Sequence, residues 1–171
     1  DDCGNSASCD QTITIEGIVE PPVITCPNDV TIQCDESTDP SATGSATATD
    51  NDDPNPAITF ADNVTPGTCP QESVITRTWT ATDTSGNSSS CLQTITVEDS
   101  TAPVIACPAD VTIECDESID PSNTGSATAT DNCDLNPAID FSDSVASGTC
   151  PQESVITRTW TATDACGNSS T

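Results

Sequence analysis

The sequence predicts an all-β fold, a tandem string of β-sandwich modules, on three observations. A shift of 81 residues lays 22–90 over 103–171 without a gap, and 54 of those 69 positions are identical, which marks a repeat array. Apolar residues alternate along short runs bounded by Pro, Gly, Asn and Asp, with no helical period. Finally, 11 cysteines recur at matching places, the usual supplement to the modest core of a small extracellular module.

The units follow from the offset. Residues 1–20 match 83–102 and read as the C-terminal part (last strand and linker) of a preceding repeat. Residues 21–101 form a complete repeat A, and 102–171 a repeat B lacking its last strand. The chain reads as a window from a longer array.

In repeat A the expected strands are Val23 to Cys26, Val30 to Cys34, Ser45 to Thr49, Ala57 to Asp62, Ser73 to Thr82 and Cys91 to Glu98. Each is a short β-branched or alternating run closed by turn residues. In the last, Cys91, Gln93, Ile95 and Val97 share one face and should point inward, away from Leu92, Thr94 and Thr96. In "SVITRTWTATD" the same period separates Ile75, Arg77, Trp79 and Ala81 from Thr76, Thr78, Thr80 and Thr82. Trp79 and Trp160 are the expected aromatic cores. Arg77 and Arg158, the only cations, should lay their alkyl stems on the ring while the guanidinium pairs with a carboxylate near the sheet end.

Two Arg against 28 acids give a net charge of -26, which excludes an electrostatic grip on nucleic acid or anionic lipid. No apolar run approaches the roughly 20 residues needed to cross a bilayer, so direct membrane insertion is not expected. Catalysis is the least supported class, because no His, Lys or Tyr is present to act as a base. Asn63, Asn87 and Asn168 each begin an N-x-S/T triplet.

The residues "PPVITCP", "TATDTSGNSSSCLQTITVEDSTAP" and "TATDACGNSS" resemble the hyalin-repeat (HYR-like) family over essentially the whole chain. The resemblance implies immunoglobulin-like sandwich modules in tandem, in large secreted or cell-surface proteins, with adhesive or structural rather than catalytic roles.

Cysteine usage without a CxxC pair or any His points to disulfides in an oxidising compartment, extracellular or at the cell surface. Repeat A has Asp52 and Ser85 where repeat B has Cys133 and Cys166. Two thiols absent together suggest that Cys133 and Cys166 bond to each other. Of the four cysteines left in repeat A, Cys26 with Cys91 and Cys34 with Cys69 is the pairing taken, other pairings being open. By the same offset Cys115 pairs with Cys150. Cys3 and Cys9 are expected to bond upstream of the chain and Cys107 just beyond it.

Acidic loops suggest calcium, which takes six to eight oxygens at flexible geometry. "TDNDDPNP" offers Asp50, Asn51, Asp52 and Asp53, and "TDTSGN" adds Asp83 and Asn87; repeat B offers Asp131, Asn132, Asp134, Asp164 and Asn168. The linker "VEDSTAP" should bring Glu98 and Asp99 to the repeat B loops. At the earlier linker Glu16 is present, but Gly17 stands at the place of Asp99. The arrangement would resemble the calcium-stiffened junctions of cadherin-like arrays. A second acidic patch, 34–44 and 115–125, is expected at the opposite pole of each unit as a solvated surface.

The function expected is therefore a non-catalytic, calcium-stiffened, disulfide-stapled stalk or filament whose partners are neighbouring repeats of the same protein, with a homopolymer as one form. The alternative is a module that binds carbohydrate or a cell surface through its Thr-rich strand faces.

Overall fold

The computed structural model of the chain describes residues 3–4, 6–13 and 19–171. Repeat A contains β1 (Val23–Thr25), β2 (Val30–Gln33), the one-turn helix α1 (Pro40–Thr43), β3 (Thr47–Thr49), β4 (Ala57–Pro66), β5 (Ser73–Thr82) and β6 (Ser88–Glu98). Repeat B follows with β7 (Val104–Ala106), α2 (Pro121–Thr124), β8 (Thr128–Thr130), β9 (Ala138–Ser147), β10 (Ser154–Thr163) and β11 (Ser169–Ser170). The chain is all-β apart from the two helical turns, and its modules are β-sandwiches stapled by disulfides.

In repeat A one sheet has the order β2-β6-β5-β4 and faces a second of β1 and β3. β4, β5 and β6 form an antiparallel meander, Phe60 facing Trp79 and Trp79 facing Cys91. β2 joins the other edge in parallel, Val30 against Ile95. Repeat B has the counterparts β11-β10-β9 and β7 on β8, but residues 111–114, which correspond to β2, form no strand.

The alternation places the core. Along β5, Ile75, Arg77, Trp79 and Ala81 are buried and the threonines between them half-buried. Along β6, Gln93, Ile95 and Val97 are buried. Ile32, Ile75, Ile95 and Val97 pack together, with Val30 and Cys34 against them. Toward the other end the core is polar: the Trp79 indole Nε1 donates to Gln93 Oε1 at 3.1 Å, and Gln93 Nε2 donates to the carbonyls of Thr43 at 2.7 Å and Asn28 at 3.0 Å. Every polar atom of the fully buried Gln93 head is thereby engaged, as burial demands.

Apart from strand ends, where β4 runs on to Pro66 and β6 begins at Ser88, two features depart from the sequence expectation. The helical turn α1 was not expected, its four residues being too few to show a period. Pro40 starts it, and Gly44 ends it at φ 95°, where a Cβ would stand 2.9 Å from the Pro27 side chain. The Arg77 guanidinium does not reach the sheet end. It lies over the Phe60 ring at 4.4 Å and pairs bidentately with Asp62, its direct cross-strand neighbour, at 2.7 and 2.8 Å. Nη1 donates to Thr43 Oγ1 and Nη2 to the Thr38 carbonyl, so α1 exists to present Thr43 to both Arg77 and Gln93. Arg158 repeats the pattern with Asp143, Phe141, Thr124 and Ile119.

Candidate functional site at the junction between repeats

The last strand of repeat A runs directly into the site. Its inward phase, Gln93, Ile95 and Val97, continues to Asp99, which is 5 % exposed. Glu98 has the opposite phase and falls on the other face of β6. The linker after Asp99 is tied back to repeat A: Gln33 Nε2 donates to Ser100 Oγ at 2.9 Å, and the Ser100 backbone N–H donates to Gln33 Oε1 at 3.2 Å.

Two loops of repeat B meet this linker. In the loop after β8, Asp131 Oδ1 accepts the backbone N–H groups of Cys133 and Asp134 at 2.9 and 2.8 Å. Asp134 spends both oxygens inside the fold, on the N–H groups of Asn136 and Ala165. In the loop after β10, Asp164 Oδ1 accepts the N–H groups of Cys166 and Asn168. Asn168 Nδ2 donates to Asp164 Oδ2 and to the Asp99 carbonyl, both at 2.9 Å, which joins the loop to the linker.

Oδ1 of Asp131 and of Asp164 thus shapes its turn, and the carboxylates converge. Carboxylate oxygens of Asp99, Asp131 and Asp164 lie within 4.8 Å of one another. Asp99 Oδ2 and Asp131 Oδ2 are buried and have no hydrogen-bond partner. Burial pushes the Asp99 carboxyl up from its ordinary value, and the negative charges of Asp164, Asp131 and Asp134 add to the rise. Burial acts upward on Asp164 too, but the Asn168 side chain and the N–H groups of Asn168, Cys166 and Gly167 outweigh it and hold that group low. Both arginines are committed to Asp62 and Asp143, so no protein cation offsets the cluster.

The expected ligand set contracts accordingly. Asp99, Asp131 and Asp164 converge; Asn132 is exposed, Asp134 and Asn168 serve as braces, and Glu98 faces away. In repeat A, Asp50 Oδ1 accepts the N–H groups of Asp52 and Asp53, and Asp50 Oδ2 is buried without a partner. Asp53 engages Asn55 and Thr84, and Asp83 is clasped by Asn87, whose hydrogen bonds lower its pKa. Asp52 and Asn51 are exposed, and the Asn51 amide donates to Asp52. No cluster of three forms there among the described residues. Glu16 and Gly17 lie outside the described residues.

The disulfides correct the expected pairing. Cys26 bonds Cys91, tying the end of β1 to β6, Cα–Cα 5.9 Å. Cys34 bonds Cys133 and not Cys69, and Cys69 bonds Cys166, with Cα–Cα distances of 5.9 and 5.1 Å. Cys133 and Cys166 are therefore not joined to each other, nor is Cys115 to Cys150; these last two are exposed thiols, as are Cys9 and Cys107. The physical reason is position. Cys34 and Cys69 sit at the pole of repeat A that faces repeat B, and the two loops of repeat B arrive at that pole carrying one cysteine each. The acidic patch 34–44 accordingly starts at the junction through Cys34, while its acids Asp35, Glu36 and Asp39 are exposed, as a solvated surface requires. The groupings of Cys34 and Cys133 with Asp99, and of Cys69 and Cys166 with Glu72, have their sulfurs bonded pairwise and are not metal sites.

No family model and no characterised protein sequence matches the chain. Among solved structures, the chain is similar to one of Clostridium perfringens ZmpB, described as CBM51-2 in complex with GlcNAc and INT domains. Identity is 18%, the TM-score is 0.36, and 71% of this chain and 28% of that one are covered. The chain thus spans less than a third of that neighbour's length. Among the described residues, no helix is long and apolar enough to cross a membrane.

Proposed function

We propose that the chain is part of a non-catalytic extracellular array of HYR-like, immunoglobulin-like modules, a stalk or filament whose joint between repeats A and B is locked by two disulfides and one calcium ion. The observation that carries this reading is the coincidence of three carboxylates with both inter-repeat disulfides at a single junction. A catalytic centre would gather a nucleophile, an acid and a base around a cleft, whereas here the chemistry-bearing residues sit between two modules. Two bonds and an ion at one joint restrict rotation, which is what a spacer requires.

Calcium fits this site for three reasons. The donors are all hard oxygens. Two of them are buried without hydrogen-bond partners, and an unpaired buried carboxylate oxygen is costly. One of those two, Asp99, comes from the linker while Asp131 and Asp164 come from loops of repeat B, so binding would join the two repeats. Asp99, Asp131 and Asp164 would hold the ion, with the Asp99 carbonyl side braced by Asn168. Three disulfides also favour an oxidising compartment, outside the cell or on its surface.

The test is thermal unfolding of the oxidised chain in calcium, in equimolar magnesium and in matched sodium chloride. Calcium at a hundredfold excess over its Kd should stabilise by about 2.7 kcal/mol, with little effect from the other two salts. Equal shifts in all three would reduce the cluster to a solvated acidic surface and remove the calcium part of the reading.

A second reading, carbohydrate or surface binding, draws on the outer face of the meander. There Thr76, Thr78 and Thr80 lie between Thr94, Leu92 and Ser90 on β6 and Asn63, Ala61 and Thr59 on β4. The face is flat and rich in hydroxyls, but Phe60 and Trp79 are on the opposite side, which leaves it without an aromatic platform. Glycan-array binding by the intact chain would favour this reading over the spacer.

A further inference from the structure

We propose that Cys115 and Cys150 form an outgoing socket for a further module of the repeat B type, whose cysteines equivalent to Cys133 and Cys166 would bond to them. This rests on the spacer reading above and extends it to a rule for which modules can follow which.

The template is the junction already formed. Cys34 and Cys69 present their sulfurs at the far pole of repeat A, and the loop cysteines of repeat B meet them there. Cys115 and Cys150 occupy the corresponding positions of repeat B under the same 81-residue offset, and both are exposed thiols.

The turns that carry them are built alike. Before Cys34, the Gln33 backbone N–H donates to Glu36 Oε2 at 2.8 Å, and the Glu36 N–H donates to the Gln33 carbonyl at 3.0 Å. Before Cys115, the Glu114 N–H donates to Glu117 Oε2 at 2.9 Å, and the Glu117 N–H to the Glu114 carbonyl at 3.1 Å. Thr68 Oγ1 donates to Glu72 Oε2 at 2.6 Å beside Cys69, and Thr149 Oγ1 donates to Glu153 Oε2 at 2.6 Å beside Cys150. Gly67 and Gly148 close these two turns, each donating its N–H to the glutamate carbonyl at 2.8 Å. The presenting turns therefore keep the same internal hydrogen bonds whether or not a partner is bonded, although residues 111–114 lack the strand pairing that β2 makes with β6.

The same comparison says which module is refused. Repeat A carries Asp52 and Ser85 in place of the two loop cysteines, so it offers nothing to a socket on the module before it. A B-type module offers both thiols. Sulfur locks thus fall only at joints whose incoming loops are of the B type, and joints entered by an A-type module lack them.

The bond-forming chemistry balances with a small-molecule disulfide as oxidant. A socket thiolate attacks it, forming a mixed disulfide and releasing one small thiol; the incoming loop thiolate then displaces the second. Each protein disulfide consumes one small disulfide, and the two protein sulfurs lose two electrons and two protons in all.

The experiment appends a second copy of residues 91–171 directly after Thr171, which continues the repeat in register. The extended chain is refolded in oxidised and reduced glutathione, alkylated and mapped by peptide mass spectrometry. The expected map joins Cys115 to the appended copy of Cys133 and Cys150 to the appended copy of Cys166, with loss of the alkylation both thiols show in the unextended chain. A second extended chain, with Cys133→Asp and Cys166→Ser in the appended copy alone, should restore that alkylation. A Cys115–Cys150 bond, or a bond between the two appended loop cysteines, overturns the proposal. The Cys34–Cys133 and Cys69–Cys166 bonds of the same chain serve as internal reference: present without the new pair, they overturn the socket alone, and their absence overturns the spacer joint as well.

Discussion

Asp99 is buried because of where it falls in the alternation of a strand. Position 99 has the phase of Gln93, Ile95 and Val97, so the rule that builds the core also drives a carboxylate inward at the point where repeat B arrives. Replacing it with Asn removes the buried charge and keeps the shape. Asp99→Asn should therefore abolish the calcium-dependent shift in Tm while leaving the metal-free Tm equal or higher, and a retained shift would remove Asp99 from the site. Arg77 is the complementary case, a buried cation with every direction engaged. Arg77→Ala removes the hydrogen bonds to Asp62, Thr43 and Thr38 and opens the ring contacts, so a loss of about 1–3 kcal/mol in urea unfolding is expected. Hydrogen bonds from Arg77 hold the Asp62 pKa below its ordinary value against the effect of burial, with the Arg77 charge adding to them. A depressed carboxylate contributes stability that is full above its unfolded pKa of about 4 and is lost as pH falls through its lower folded value. The gap in urea midpoint between the native chain and Asp62→Asn should thus be widest near neutrality and close in that acid window; a gap independent of pH would contradict the pairing.

At the scale of elements, β5 was legible from its sequence to the residue, because alternation over the eight positions from Ile75 to Thr82, closed by turn residues on both sides, admits one reading. β4 was legible at its start and not at its end: the expected run stops at Asp62, yet the strand continues to Pro66 as the outer edge of the meander, paired along its length to β5. Edge strands end where a partner ends, which local sequence does not state. Cys34 and Cys69 show the same limit more sharply. From the joint absence of thiols at 52 and 85 the sequence suggests a Cys133–Cys166 bond, whereas each of these cysteines bonds a cysteine of repeat A. Joint absence does not say whether two cysteines bond each other or bond two neighbours, and only the meeting of the two repeats decides that. The inter-repeat bonds span 99 and 97 residues, for which loop closure in the unfolded chain gives about 4.7 kcal/mol for a first bond of that size. The second closes a smaller remaining ring and should contribute less. Cys133→Ser alone should therefore cost clearly less stability than Cys133→Ser with Cys166→Ser, read by thermal unfolding in calcium, and equal losses would mean that one of the two bonds is strained or absent.

For the whole molecule, the two linkers of the chain are unequal by sequence. The one entering repeat B has Asp99, and the loops of repeat B carry Cys133 and Cys166; the one entering repeat A has Gly17 at the matching place, and the loops of repeat A carry Asp52 and Ser85. Linker carboxylate and loop thiols are present together or missing together, which is why they read as parts of one joint. The fold class was legible because repetition, alternation and cysteine density agree. The joint was only half legible, since its acids sit on the loops that turn chemistry would fill anyway. The account is tested most directly by the distribution of distances between spin labels, one on the outer face of each repeat, at Ser90 and Thr161, in the native chain and in Cys133→Ser/Cys166→Ser, with calcium and with chelator. The account predicts a narrow distribution in the three conditions that keep at least one lock, and a broad one only for the serine variant in chelator. A distribution equally broad in all four, or one that stays narrow with both locks removed, would contradict it.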